Sequence, residues 1–140
     1  MRCVLDTNVV VAAMRSPAGA SAGLLMAARR LQVTLLANVA LALEYEATCQ
    51  LVEHRMAAGF DLRQVSIFID AVLAMVEPVE THFTWRPQLR DPGDELVLDA
   101  AVNGRAAAIV TFNRRDFAIV PGRFGIDVLT PAEAIRRIKT

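Results

Sequence analysis

Short apolar runs recur along the chain at Cys3–Leu5, Val33–Leu36, Val76–Val79, Ala108–Val110 and Asp127–Leu129, each the length of a buried strand. Between them the apolar positions fall into helical spacing over Asn8–Met14, Ala20–Arg30, Val39–His54, Leu62–Met75, Asp94–Asn103 and Pro131–Ile138. Strands that alternate with helices predict an α/β fold with a parallel sheet covered on both faces. Helix ends carry matching chemistry. Asp61 with Gln64, and Thr130-Pro131-Ala132-Glu133, read as capping boxes, Gly104 as the close of the fifth helix, and Ser16-Pro17-Ala18-Gly19 as a turn.

In such a sheet, ligands bind beyond the carboxyl ends of the strands near a switch in strand order. Asp6 directly follows the first strand, and Thr111, Asn113 and Asp116 follow the fourth, so two polar clusters far apart in sequence share one edge. Glu44 lies in the helix after the second strand. Asp94 lies in the first turn of the helix before the fourth, where the helix amino terminus favours negative charge. Four converging carboxylates in a partly desolvated pocket repel one another unless a metal or shared protons compensate. Metal-dependent hydrolysis is therefore the leading hypothesis.

Each acid also has a plainer reading. Asp6, Thr7 and Asn8 can cap a helix, Glu44 can be a solvated helix carboxylate, and Asp94 can be a cap after the Asp91-Pro92-Gly93 turn. Asp116 can pair with Arg114 or Arg115. Glu46 competes with Glu44, and periodicity does not choose between them. Asp94 shares a stripe with Val97, Leu98 and Ala101, whereas Glu95 shares one with Asp99 and Val102, which makes Asp94 the more inward of the two. His54 and His82 stand apart from these clusters in the sequence.

Composition narrows the class. At 140 residues the chain reads as one domain, 1–140, able to bury a core without disulfides. Cys3 and Cys49 read as buried thiols of a reducing compartment. There is neither a leader-like start nor an apolar run long enough for a bilayer, so a cytoplasmic protein with no membrane partner is expected. Fifteen acidic residues balance fifteen basic ones, which excludes a broadly basic surface for nucleic acid. Any such binding is local, and Arg114-Arg115, Arg86, Arg90, Arg29-Arg30 and Arg136-Arg137 are the phosphate-contact candidates. Phe60, Phe68, Phe83 and Trp85 are candidate base-stacking or contact residues. A hydrophobic content of 54% points to apolar surface covered by another subunit or partner.

The motifs carry a resemblance. Leu5-Asp6-Thr7-Asn8-Val9-Val10-Val11 resembles the opening of PIN-domain nucleases, and Leu43-Glu44-Tyr45-Glu46 is similar to their second acidic position. Asp91-Pro92-Gly93-Asp94-Glu95, and Ile109-Val110-Thr111-Phe112-Asn113-Arg114-Arg115-Asp116-Phe117, resemble the third and fourth, and Ile126–Ala134 the final strand and helix. The branch it most resembles is the VapC-like toxins of toxin–antitoxin pairs. The resemblance implies a three-layer α/β/α sandwich around a parallel sheet of four to five strands. It also implies Mg²⁺ or Mn²⁺ held by Asp6, Glu44, Asp94 and Asp116, with Asn8, Thr111 and Asn113 in supporting polar roles. The implied activity is endoribonucleolytic cleavage of RNA phosphodiesters, with a homodimer and a site-blocking antitoxin as partners.

Other acid-bearing α/β classes fail on named residues. A haloacid-dehalogenase-like phosphatase needs a second aspartate two residues after the first, where this chain has Asn8. A receiver domain needs a lysine after its last strand, and the only lysine is Lys139. The alternative that survives is a PIN fold serving as an RNA-binding or assembly module with little turnover.

Overall fold

The computed structural model describes residues 1–84 and 87–139. Five strands, β1 (Arg2–Leu5), β2 (Thr34–Ala37), β3 (Val76–Pro78), β4 (Ala108–Val110) and β5 (Asp127–Leu129), form one sheet in the order β3-β2-β1-β4-β5. Every pairing is parallel, with Cys3 beside Leu35 on one side and Val4 beside Ile109 on the other. Parallel strands need crossover connections, here supplied by helices. These are α1 (Thr7–Arg15), α2 (Ala20–Arg29), α3 (Val39–Cys49), α4 (Val52–Ala58), α5 (Leu62–Met75), α6 (Pro92–Asn103), α7 (Val120–Phe124) and α8 (Pro131–Lys139).

The strand order reverses direction at β1: the chain steps outward to β2 and β3, then returns to β4 on the other side. Right-handed crossovers then place the helices of the two halves on opposite faces, giving the expected three layers. Helices α1, α2, α3 and α5 pack on one another, while α6 packs across β1, β2 and β4. The strands between these layers are almost wholly apolar. Val4, Ala108, Ile109 and Val110 are fully buried, and a buried aliphatic side chain of the size of Val or Ile contributes about 2 kcal/mol.

Of three sequence expectations, two change and the one at Gly104, which does close its helix, holds for a different reason. The helix expected over Val39–His54 is two helices, parted at Leu51, which adopts an extended ψ of 136° and starts α4. No glycine or proline causes the break; packing of α4 on α1 overrides local propensity. Gly104 does follow α6, but with an ordinary φ of −86°. Its lack of a side chain serves close approach: a Cβ there would lie 2.8 Å from the Ala100 carbonyl oxygen and 2.9 Å from Val79 Cγ2. The left-handed residue is Arg105, at φ 53°. Third, α7 and a 3-10 turn at Arg114–Phe117 occupy a stretch with no expected helix. Both capping boxes are present: Asp61 and Gln64 exchange bonds of 2.8 and 2.9 Å, and Thr130 and Glu133 bonds of 2.9 and 3.2 Å.

Among the described residues, no single helix is long and apolar enough to cross a membrane. Apolar side chains nonetheless remain exposed on successive helices: Val39 and Leu43 on α3, Val52 and Met56 on α4, Leu62 and Ile67 on α5.

Candidate active site

A cleft of about 630 Å³ opens at the carboxyl end of the sheet, at the β1/β4 switch in strand order. Asp6, Glu44, Asp94 and Asp116 all line it, together with Asn8 and Asn113. Each acid arrives on a different segment, and each segment is held by its own packing.

Asp6 follows β1, and its amide extends the ladder by donating to the Val110 carbonyl at 2.9 Å. It stands at the amino end of α1 yet makes no side-chain cap bond. Its Oδ2 instead accepts from the buried Thr111 hydroxyl at 2.7 Å, and that hydroxyl accepts from the Asn113 amide at 2.9 Å. Thr111 thus ties the first acid to the segment that carries the fourth. Glu44 accepts from the Thr7 hydroxyl at 2.6 Å. The rotation of α3 is set one residue on, where the fully buried Tyr45 donates its hydroxyl to the Leu5 carbonyl at the end of β1. Glu46 is exposed and lies outside the cleft.

Asp94 reaches the cleft because Gly93 lets the start of α6 approach Glu44. A Cβ at position 93 would sit 3.0 Å from Glu44 Oε1. Asp91 lines the cleft as well, and its Oδ1 accepts from the Gly93 amide at 2.8 Å. Asp116 projects from the 3-10 turn, which is anchored by the fully buried Phe117 beside it. The expectation that Asp94 is the more inward of its pair is corrected. Glu95 is the more deeply buried, on the other side of α6, where it accepts from the amides of Gln88 and Leu89 at 2.7 and 2.8 Å. Asp94 is half-buried and faces the cleft.

The acids act on one another electrostatically. Burial pushes the Asp6 carboxyl above its usual range, partly offset by the Thr111 hydroxyl and Thr7 amide, with Glu44 and Asp116 pushing it further up. Asp94 is pushed up to about 7, first by burial and then by Asp6, Asp91, Asp116 and Glu44. Like charges that share a site disfavour ionisation in this way. The only arginine lining the cleft among the described residues is Arg15, and its Nη1 lies 3.2 Å from His54 Nδ1.

A divalent cation fits this donor set. As placed, no three acidic, histidine or cysteine side chains among the described residues converge tightly enough to cage an ion alone. Mg²⁺, however, keeps several waters and takes only one or two carboxylates directly. Asn8 Oδ1 is buried at the cleft with no hydrogen-bond partner among the described residues, an acceptor suited to such a water.

Several residues escaped the sequence reading. His54 stands apart in sequence but lines the cleft, brought there by the break before α4. Arg15, Asp91 and Phe112 line it too. Neither Arg114 nor Arg115 does, and Arg114 is paired with Glu133 at 2.9 Å. Phe60 and Phe68 pack against the core, whereas Phe83 is exposed. Trp85 and Arg86 lie outside the described residues.

The PIN domain family model matches residues 2–115, so the chain belongs to the PIN domain family. In fold, the chain is similar to the crystal structure of VapBC2 from Rickettsia felis bound to a DNA fragment from their promoter. The TM-score is 0.59 at 15% identity, over 93% of this chain and 98% of that one. Among curated proteins, none matches in sequence.

Proposed function

We propose that the cleft is the active centre of an endoribonuclease that hydrolyses RNA phosphodiester bonds with Mg²⁺ or Mn²⁺, and that the protein is the VapC-like toxin of a toxin–antitoxin pair. One observation carries the reading. Four acids on four separate segments line one cleft at the sheet's switch point, where burial and the neighbouring carboxylates raise the proton affinity of Asp6 and Asp94. Membership of the PIN family supports nuclease chemistry, and the similarity in fold to VapBC2 supports the toxin role and an antitoxin partner.

Asp6, Glu44, Asp94 and Asp116 would hold the ion. When bound, it supplies Lewis acidity at the phosphate and a water acidic enough to act as nucleophile near neutral pH. The protein supplies the rest. Thr111 and Thr7 fix the carboxylates of Asp6 and Glu44, and Asn8 and Asn113 offer polar groups to water and phosphate oxygens. Asp94 or Asp116 orients the attacking water and takes its proton. Arg15, not Arg114 or Arg115, is placed to hold a phosphate of the strand.

The free, buried Cys3 and Cys49, with thiols pushed by burial to about 12 and about 11, suit a reducing cytoplasm. The exposed apolar residues of α3, α4 and α5 suit cover by the antitoxin or a second copy in a homodimer. The test is incubation of purified protein with mixed single-stranded RNA and Mn²⁺ or Mg²⁺, beside EDTA and Asp6→Ala controls. The expected result is shortening of RNA by the wild type with metal only. RNA retained without shortening by folded, metal-loaded protein would replace this reading with the binding-module one.

A further inference from the structure

Beside the acid cleft lies a second hollow, of about 230 Å³, and Ala12, Ser16 and Phe112 line both. The first turns of α2 (Ala20, Ser21) and α8 (Pro131, Ala132) complete its walls. Two features point to an occupant. Phe112 directly follows the fully buried Thr111 yet is 53% exposed, with the acid cleft and the hollow on either side of it. Ser21 is only 3% exposed, and its hydroxyl is buried with no hydrogen-bond partner among the described residues. An unpaired buried hydroxyl is a cost that a ligand's acceptor or donor would remove.

The walls decide the class of ligand. Among the described residues no lysine or arginine lines the hollow, which disfavours phosphate. Alanine methyls, a proline ring and a phenyl ring beside the hydroxyl residues Ser16, Ser21 and Thr130 suit a flat, largely apolar ring with a polar edge. Helix α2 begins here at Gly19 with no side-chain cap bond, so its positive end also favours the carbonyl or ring-nitrogen acceptors of such an edge.

We infer that this hollow receives an unpaired nucleobase of the RNA whose phosphodiester lies in the acid cleft, with Phe112 as the stacking wall and Ser21 as the group that reads the base edge. The inference rests on the ribonuclease reading above and deepens it. A base seated here is withdrawn from any duplex, so the substrate is single-stranded or looped RNA. Aromatic stacking tolerates any base. Discrimination among bases falls to the hydroxyls, and of these Ser21's is the buried one with no partner among the described residues, whereas Thr130's already accepts from the Glu133 amide.

The test uses the full chain and a set of short single-stranded RNAs, each with one abasic position moved along the strand. Cleavage is followed in Mn²⁺ and binding in Ca²⁺. Wild type should bind about tenfold more weakly when one particular position is abasic. Phe112→Leu should raise KM about tenfold with a smaller change in kcat, and should no longer distinguish the abasic strand. Phe112→Trp, which keeps a flat ring, should behave like wild type. Ser21→Ala should reorder the preference among the four bases at that same position. Cleavage with unchanged KM in a folded Phe112→Leu, or indifference of the wild type to every abasic position, overturns the inference while leaving the ribonuclease reading intact. Competition by inorganic phosphate that disappears in Ser21→Ala, without any abasic effect, overturns it in favour of a phosphate site. Absence of cleavage by the wild type counts against the ribonuclease reading instead, and the abasic binding series then decides the hollow by itself.

Discussion

Asp94 and Glu95 are consecutive acids in the first turn of α6, and they face opposite surroundings. Glu95 is the more deeply buried, yet two backbone amides of residues 88 and 89 meet its Oε1. Asp94 is less buried, and what faces it is Asp6, Asp91, Asp116 and Glu44. Two amides hold one oxygen of Glu95, while its Oε2 is buried with no hydrogen-bond partner among the described residues, so Glu95 works as a peg that ties residues 88 and 89 to α6. Carboxylates aggravate one another, so Asp94 stands in a place that is comfortable only when something positive arrives. Burial alone does not mark a site; the groups that face the buried charge do.

Substituting each acid in turn separates the two roles most sharply. Asp94→Ala should lower metal-dependent RNA cleavage at least about a hundredfold while the protein stays folded, because the effect of losing an acid of the set should exceed the usual loss for a supporting residue. Glu95→Ala should do the reverse. Two amides lose their acceptor, at a cost of about 2 kcal/mol in stability read by denaturant melts, while cleavage per folded molecule stays near wild type. Loss of cleavage in folded Glu95→Ala would end the division of labour between the two. A smaller effect belongs to Thr111→Val, which keeps the shape of the side chain but removes the hydroxyl that fixes Asp6 Oδ2 and receives the Asn113 amide. Metal affinity by titration calorimetry should fall about tenfold; unchanged affinity would show that Asp6 needs no such support.

The sheet, its parallel sense and most helices were legible because apolar runs and helical spacing alternate cleanly from Cys3 to Ile138. The positions of Asp6, Asp94 and Asp116 were legible for the related reason that each closes a strand, starts a helix or follows a strand at one edge. The choice of Glu44 over Glu46 was not legible in periodicity: Leu41, Tyr45 and Cys49 form the buried stripe, and the two acids flank it one residue to either side of Tyr45. His54 was not legible, because an unbroken helix through Leu51 carries it elsewhere, and only packing of α4 against α1 brings it back. Phe112 was missed because an aromatic after a strand looks like core until its exposure is seen. Glu95 was misjudged because the partners that allow its burial are backbone amides, which leave no signature in side-chain pattern.

The smallest effect expected is in stability, and its sign follows from Asp94. Its carboxyl titrates near 7 in the folded protein against 3.8 for the ordinary group. Below about 4 both folded and unfolded chains hold the proton, so the group makes no difference. Between about 4 and 7 the unfolded chain releases it while the folded one keeps it. Unfolding then sheds protons, and stability falls as pH rises through that window before levelling above 7. Asp6, raised for the same cause, acts in the same direction. In metal-free protein the melting temperature of Asp94→Asn should therefore gain on that of wild type as pH rises from 4 to 7, by a few degrees, and gain no more beyond it. Saturating Mn²⁺ at pH 8 should shrink the gap, since an ion that binds the ionised acids stabilises the wild type more than the variant. A gap that ignores pH would mean the acids of the cleft do not press on Asp94, and a gap that ignores Mn²⁺ would mean that the ion binds elsewhere.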